Sequence, residues 1–159
     1  MGMETPALAW ITGASSGIGR ALALRLARDG MDVAASARLA PGLAALADAA
    51  AGLPGRVRPV PVDVTDAAAV HDAVAATESG VGPIDLAILN AGTHTPMGLD
   101  GFSAATARRL MEVNYMGVVH GLEALLPRMA ARRRGRIAVV ASLAGYRGLP
   151  TATAYGPTK

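Results

Sequence analysis

The stretch Thr12-Gly13-Ala14-Ser15-Ser16-Gly17-Ile18-Gly19 decides the fold. It follows an apolar run at residues 7–12 that predicts a buried strand, and it opens a run at residues 17–29 with apolar side chains at helical spacing. The glycines permit a tight turn, close approach of the backbone to a pyrophosphate, and close packing of the helix on the strand. The helix N-terminus would present free N–H groups and a partial positive charge to the phosphates. A glycine-rich loop can also be an ordinary turn, but this one lies between a strand and a helix, which favours a nucleotide site.

Strand and helix patterns alternate along the rest of the chain. The further predicted strands are residues 32–37, 57–62, 84–89 and 137–141, and the further predicted helices are residues 41–51, 66–79 and 103–134. The last helix is expected to bend near Asn114 or Gly117 and again before Pro127. Prolines 59 and 61 favour a sheet edge for the third strand.

This alternation implies right-handed crossovers and a parallel sheet covered on both faces. We therefore predict an α/β fold, a doubly wound Rossmann-type sheet of strand order 3-2-1-4-5, in one domain of residues 1–159. Ligands of such sheets bind beyond the carboxyl ends of the strands.

The composition excludes several classes of protein. Of 159 residues, 52% are hydrophobic and 17% are charged, which is incompatible with disorder. No apolar run approaches the roughly 18 residues of a membrane span, and residues 1–6 do not resemble a signal peptide. The absence of cysteine excludes disulfides and thiolate chemistry, and three separated histidines predict no metal site. We expect a cytoplasmic protein without a membrane partner.

The net charge of +3 raises the question of nucleic acid. The excess comes from a short run of arginines, Arg132, Arg133, Arg134 and Arg136. Such a run is usually a solvated turn, and no aromatic residue is interleaved with it to stack bases. We predict no nucleic-acid binding.

The spacing Gly-x-x-x-Gly-x-Gly at residues 13–19 resembles the cofactor loop of the short-chain dehydrogenase/reductase family. Further motifs of that family follow in order: Asp63-Val64 after strand 3, Asn90-Ala91-Gly92 after strand 4, Asn114 in the long helix, Ser142 after strand 5, and Tyr155-Gly-Pro-Thr-Lys159. The resemblance covers essentially the whole chain. It implies a cofactor site made of Gly13, Ser15, Ser16, Gly17, Ile18, Gly19, Arg38, Asp63, Val64, Asn90, Ala91, Gly92, Tyr155 and Lys159.

The chemistry of Tyr155 and Lys159 agrees with this resemblance. The ordinary pKa of a tyrosine is about 10, and an ammonium group one helical turn away would favour the phenolate. Ser142 could donate a hydrogen bond to a developing oxyanion. By resemblance, Lys159 also binds the nicotinamide ribose and Asn114 holds a water in a proton relay. The alternative is a surface pair at helical spacing.

Arg38 bears on the choice of cofactor. The sequence after strand 2 is Ser36-Ala37-Arg38, with alanine where family members that use NAD often carry aspartate. Arg38 could pair with a 2′-phosphate in bidentate fashion. The alternative is an exposed loop arginine. We predict NADP(H) over NAD(H).

The resemblance implies an oxidoreductase that transfers hydride between NADP(H) and a small carbonyl or secondary alcohol substrate. A non-catalytic nucleotide-binding protein, or an inactive truncated remnant of such an enzyme, is the alternative. Family members continue beyond the Tyr-x-x-x-Lys motif, so we expect a domain that is incomplete after strand 5, and a homo-oligomer in the full-length form. His94 follows the Asn-Ala-Gly motif and is a weaker candidate for the substrate cleft, while His71 and His120 are expected to be structural.

Overall fold

A computed structural model describes residues 8–98 and 101–159, which form a five-stranded parallel sheet. The strands are β1 (Leu8–Thr12), β2 (Asp32–Ala37), β3 (Val57–Pro61), β4 (Leu86–Leu89) and β5 (Arg136–Val139). Their order is β3-β2-β1-β4-β5, which confirms the expected topology and the position of β3 at an edge. Residue 7, where the first strand was expected to begin, lies outside the described residues.

Five α-helices connect the strands: α1 (Gly17–Arg28), α2 (Ala40–Ala49), α3 (Ala67–Gly80), α4 (Ala104–Met111) and α5 (Gly117–Ala131). A π-helical turn at Glu112–Met116 separates α4 from α5, at the first of the two expected bends. Two short 3₁₀ turns, Leu143–Gly145 and Gly156–Thr158, follow β5.

At the position of the second expected bend the helix is not interrupted, since α5 runs through Pro127 to Ala131; the bend itself stays a prediction. A proline inside a helix removes one backbone hydrogen bond. Here the flanking residues Ala124, Leu125 and Met129 are buried against the sheet, so packing outweighs that loss.

The core has one layer on each face of the sheet, set by the alternation of side chains along β1. Trp10 packs with α3 and α5 on one face, and Ile11 packs with α1 and α2 on the other. The Trp10 indole donates a 2.8 Å hydrogen bond to Ser36 Oγ, so the one polar atom of this ring is satisfied. Both faces are therefore covered, as in a doubly wound sheet.

Two arginines of the run after α5 bind residues that are distant in the sequence. Arg132 donates to Glu78 Oε1 at 2.8 Å and to the Ile84 carbonyl at 2.6 Å, and Arg134 pairs with Asp85 at 3.0 Å. Glu78 is largely buried. The expected solvated turn is therefore wrong for Arg132, because a partner far away in sequence binds it.

In the described part of the chain, no helix is both long enough and apolar enough to cross a bilayer.

Candidate active site

A cleft of about 660 Å³ lies beyond the carboxyl ends of the strands. Most of the residues expected to bind cofactor or substrate line it. These are Gly13, Ser15, Ser16, Gly17, Ile18, Arg38, Asp63, Val64, Asn90, Ala91, Gly92, Ser142, Tyr155 and Lys159. The glycine-rich loop and the Tyr155–Lys159 pair thus share one cleft. Gly19 and Asn114 are not among the residues that line it.

The glycine-rich loop is pressed against the loop that follows β4. Gly13 has a φ of +67°, and a Cβ there would lie 2.8 Å from Ala91 Cα. A Cβ on Gly19 would overlap the carbonyl oxygen of Gly13 and would lie 2.6 Å from Asn90 Nδ2. Gly17 has a φ of +53° and faces open space. Residues 13 and 19 must therefore be glycine for packing, and residue 17 for its backbone conformation.

Thr12 and Asn90 join these two loops. Asn90 Nδ2 donates to the carbonyls of Thr12 (3.0 Å) and Gly13 (3.3 Å). In return, Thr12 Oγ1 accepts from the backbone N–H groups of Asn90 and Ala91, each at 3.0 Å. Sequence reasoning did not single out Thr12. The signal that could have identified it is its place as a polar residue at the end of an otherwise apolar strand.

The N-terminus of α1 is left uncapped. The side chain of Ser16, the N-cap residue, accepts no hydrogen bond from the first turn of the described helix. By contrast, Asp66 caps α3 through Ala69 N and Ser103 caps α4 through Thr106 N. The first-turn N–H groups of α1 therefore need another acceptor, and an anion in the cleft would supply it.

The far end of the cleft is formed by the exits of β2 and β3. Arg38 and Leu39 are exposed there. Asp63 Oδ1 accepts from both Thr65 N and Thr65 Oγ1, which fixes the turn after β3. His120 Nδ1 bonds to the Val64 carbonyl at 2.9 Å, so this histidine is structural as expected.

Ser142, Tyr155 and Lys159 lie at the opposite end. Ser142 Oγ accepts from Ala144 N, which leaves the hydroxyl hydrogen available for the cleft. Lys159 Nζ donates to the Val140 carbonyl at 3.0 Å. Burial lowers the pKa of Lys159 below its ordinary value, because desolvation disfavours the charged ammonium.

Asn114 is buried and connects three segments. Its Oδ1 accepts from Thr93 N at 2.7 Å, and its Nδ2 donates to the Thr93 carbonyl and to Thr158 Oγ1, both at 2.9 Å. Thr158 in turn donates to the Tyr155 carbonyl at 2.7 Å. Thr158, which sequence reasoning passed over, thus links the π turn to the segment that carries Tyr155. The relay water expected on Asn114 stays a prediction.

His94, a weaker candidate in the sequence, lies against Tyr155 in the structure. Its ring centroid is 4.7 Å from that of Tyr155, with the planes tilted by 51°. It lines the same cleft and is exposed to it. Within residues 8–98 and 101–159, no set of three or more potential ligands is grouped to hold a metal ion.

Comparisons with known proteins agree with this geometry. The family model described as short chain dehydrogenase matches residues 7–159. An uncharacterized oxidoreductase of Myxococcus xanthus is 41% identical over 95% of this chain and 60% of its own length. The structure of an NAD⁺-bound xylitol dehydrogenase superposes with a TM-score of 0.91, at 31% identity, over 96% of this chain and 59% of that one. A gluconate 5-dehydrogenase from Burkholderia cenocepacia, in complex with NADP and tartrate, superposes with a TM-score of 0.86, at 33% identity, over 96% of this chain and 60% of that one. The chain thus spans about 60% of the length of these relatives.

Proposed function

Because the chain belongs to the short-chain dehydrogenase family, we propose that its cleft binds NADP(H) and that the protein interconverts a small carbonyl compound and a secondary alcohol. The observation that carries this proposal is the single cleft in which the glycine-rich loop and the Tyr155–Lys159 pair meet.

The residues present fit a dinucleotide. The uncapped first turn of α1 offers N–H donors to a diphosphate, and a side chain at Gly13 or Gly19 would disrupt the turn that presents them. The volume of the cleft lies in the range of small-molecule and cofactor sites. Asp63 and Val64 would contact the adenine at the far end.

Arg38 supports a preference for NADP(H). It is exposed at the mouth of the cleft, and the neighbouring position, where an acid would bind the free 2′-hydroxyl of NAD, is Ala37. The relatives do not decide the matter, since one solved neighbour holds NAD⁺ and another NADP.

The preference is tested with Arg38→Asp. We expect a tighter NADPH than NADH complex in the unmodified protein and the reverse order in the variant, measured by quenching of Trp10 fluorescence or by calorimetry. Arg147→Asp, an exposed arginine outside this cleft, is the matched control for loss of charge. Unchanged selectivity in Arg38→Asp would refute the assignment.

When bound, the nicotinamide supplies or accepts the hydride. Tyr155 holds the proton that is given to the carbonyl oxygen on reduction and taken from the hydroxyl on oxidation. Ser142 donates a hydrogen bond to the same oxygen as negative charge develops on it. The ammonium of Lys159 favours the phenolate of Tyr155, as an opposite charge nearby does. Asn114 would hold a water of the proton relay, as the family resemblance implies, through an atom other than its two side-chain amide hydrogens, which bond to Thr93 and Thr158.

Tyr155→Phe tests the reaction. We expect NADPH oxidation in the presence of a panel of carbonyl compounds to fall at least about 100-fold, while NADPH still binds through the glycine-rich loop. Tyr146→Phe is the matched control, since this ring is 89% exposed and lies outside the cleft. The non-catalytic alternative predicts tight nucleotide binding with no turnover in the unmodified protein.

A further inference from the structure

The imidazole of His94 lies beside the proposed proton donor. Its ring packs against Tyr155 with a centroid separation of 4.7 Å, so the two side chains form one wall of the cleft. His94 is exposed to the cleft whereas Tyr155 is half-buried. A ligand held at the Tyr155 hydroxyl would therefore lie in the same cleft as the imidazole.

Backbone contacts join the segment that carries His94 to the segment that carries Tyr155. Met97, three residues after His94, forms a parallel bridge with Ala152, and Met97 N donates to the Thr151 carbonyl at 2.8 Å. Met97 and Ala154 are buried in one cluster against which Tyr155 packs. The segment that carries His94 is thereby fastened to the segment that carries Tyr155, so the ring contact does not depend on one flexible side chain.

The charges at this end of the cleft favour an electron-rich partner. Among the described residues that line the cleft, Asp63 is the acidic one, and it lies at the other end with its carboxylate engaged by Thr65. Lys159 lies on the same wall as Tyr155. Nearby, Arg109 donates to Thr95 Oγ1 at 2.9 Å, which places a second cation next to the His94 segment.

We propose that His94 is a specificity-determining residue, which hydrogen-bonds a second oxygen of the substrate on a carbon next to the reacting carbonyl. The substrate class is thereby narrowed to hydroxy-carbonyl, dicarbonyl or oxo-acid compounds and their alcohols. An imidazole carries at least one N–H donor in either protonation state, so the recognition does not require a charged histidine. The inference rests on the proposed function for the place of the carbonyl at Tyr155.

A pair of probes that differ by one oxygen tests this role. Butan-2-one and 3-hydroxybutan-2-one are compared for binding, by ligand-observed NMR titration with NADP⁺ present, and for turnover, by NADPH oxidation. His94→Phe keeps a ring against Tyr155 and removes the donor. His71→Phe, on the exposed face of α3, is the control for a histidine that does not line the cleft.

We expect the unmodified protein to bind the hydroxyketone roughly 5- to 10-fold more tightly than the plain ketone, the range of one hydrogen bond. In His94→Phe that preference should fall below about twofold, with the plain ketone bound within about threefold of the unmodified protein. In His94→Phe, the KM for the hydroxyketone should rise while kcat stays the same, since a binding contact is lost and Tyr155 is intact. His71→Phe should retain the preference.

Each contrary outcome has a distinct meaning. A preference that persists in His94→Phe, or one that is absent from the unmodified protein, overturns the role of His94 whether or not turnover is seen. Absence of turnover with nucleotide bound overturns the proposed reaction, while the binding titration still decides the question of His94. Equal thermal unfolding midpoints for the three proteins exclude misfolding as the cause of a lost preference.

Discussion

Replacing Thr12 by valine should destabilise the protein, whereas the same substitution at Thr77 should not. Both threonines are buried, at 2% and 5% exposure. Thr12 Oγ1 accepts two backbone hydrogen bonds of 3.0 Å, while Thr77 Oγ1 has no hydrogen-bond partner within the described structure. Valine is close in shape to threonine, so the hydroxyl is the variable that the pair compares.

The magnitude follows from the groups left without a partner. Thr12→Val leaves the N–H groups of Asn90 and Ala91 unsatisfied, and an unsatisfied buried donor costs about 1–3 kcal/mol. Both residues are only half-buried, so water can reach part of the gap. We therefore take the lower part of the range and expect a loss of about 2–4 kcal/mol in the free energy of unfolding. Thr77→Val removes an unpaired hydroxyl from the interior and should gain up to about 1 kcal/mol.

Urea denaturation measures both values. Trp10 is the one tryptophan of the chain and is fully buried, so its emission reports unfolding, and far-ultraviolet circular dichroism checks that the two probes agree. On heating, the loss at Thr12 corresponds to roughly 4–16 °C in the midpoint. Thr12→Ser, which retains the acceptor, is the control. Equal shifts in Thr12→Val and Thr77→Val, or a loss below about 1 kcal/mol at Thr12, would refute the reasoning.

Three further substitutions test the site. Gly19→Ala should weaken NADPH binding at least about tenfold in a calorimetric titration, because the new Cβ would overlap the backbone carbonyl of Gly13 in the glycine-rich loop. Gly80→Ala has open space around its Cβ and should leave binding unchanged. Thr158→Val should lower the free energy of unfolding by about 1–3 kcal/mol, because it leaves a buried amide hydrogen of Asn114 unpaired. Thr158→Ser keeps the hydroxyl, so an equal loss of stability in the two variants would contradict this reasoning. The pKa of Lys159 is lowered in the folded protein. Between that lowered pKa and the ordinary lysine pKa, the unfolded chain binds more protons than the folded one, so the free energy of unfolding rises with pH across this window. Lys159→Met should remove that rise. Identical pH dependence of urea midpoints in Lys159→Met and the unmodified protein would show that burial of the ammonium has no such effect.

Local pattern was sufficient for the architecture. The alternation of strand and helix periods, with crossovers restricted to one hand, predicts a doubly wound parallel sheet, and the Rossmann type of such a sheet has the order β3-β2-β1-β4-β5 that the structure shows. Pro59 and Pro61 indicated the edge strand, since a proline cannot donate to a central ladder. The same topology brings the ends of the strands together, which is why motifs far apart in sequence line one cleft.

The exact ends of the helices and strands, and the continuity of α5 at Pro127, depended on tertiary packing. Pro127 removes one backbone hydrogen bond, and the burial of its neighbours against the sheet keeps α5 continuous across it. Likewise, Arg132 was expected in solvent and instead binds Glu78, 54 residues away.

The sequence by itself determined the alternation of strands and helices, the glycine-rich turn and the chemical types of residue at the strand ends, because periodicity, turn residues and motif spacing are local properties of a chain. Only the tertiary structure decided which side chains touch. Thr12 meets Asn90 across 78 residues, Asn114 meets Thr158 across 44, and His94 meets Tyr155. Hydrogen-bond and ring contacts of this kind require separations of a few ångströms between segments that no local pattern relates, so they arise only when packed helices and paired strands bring those segments together.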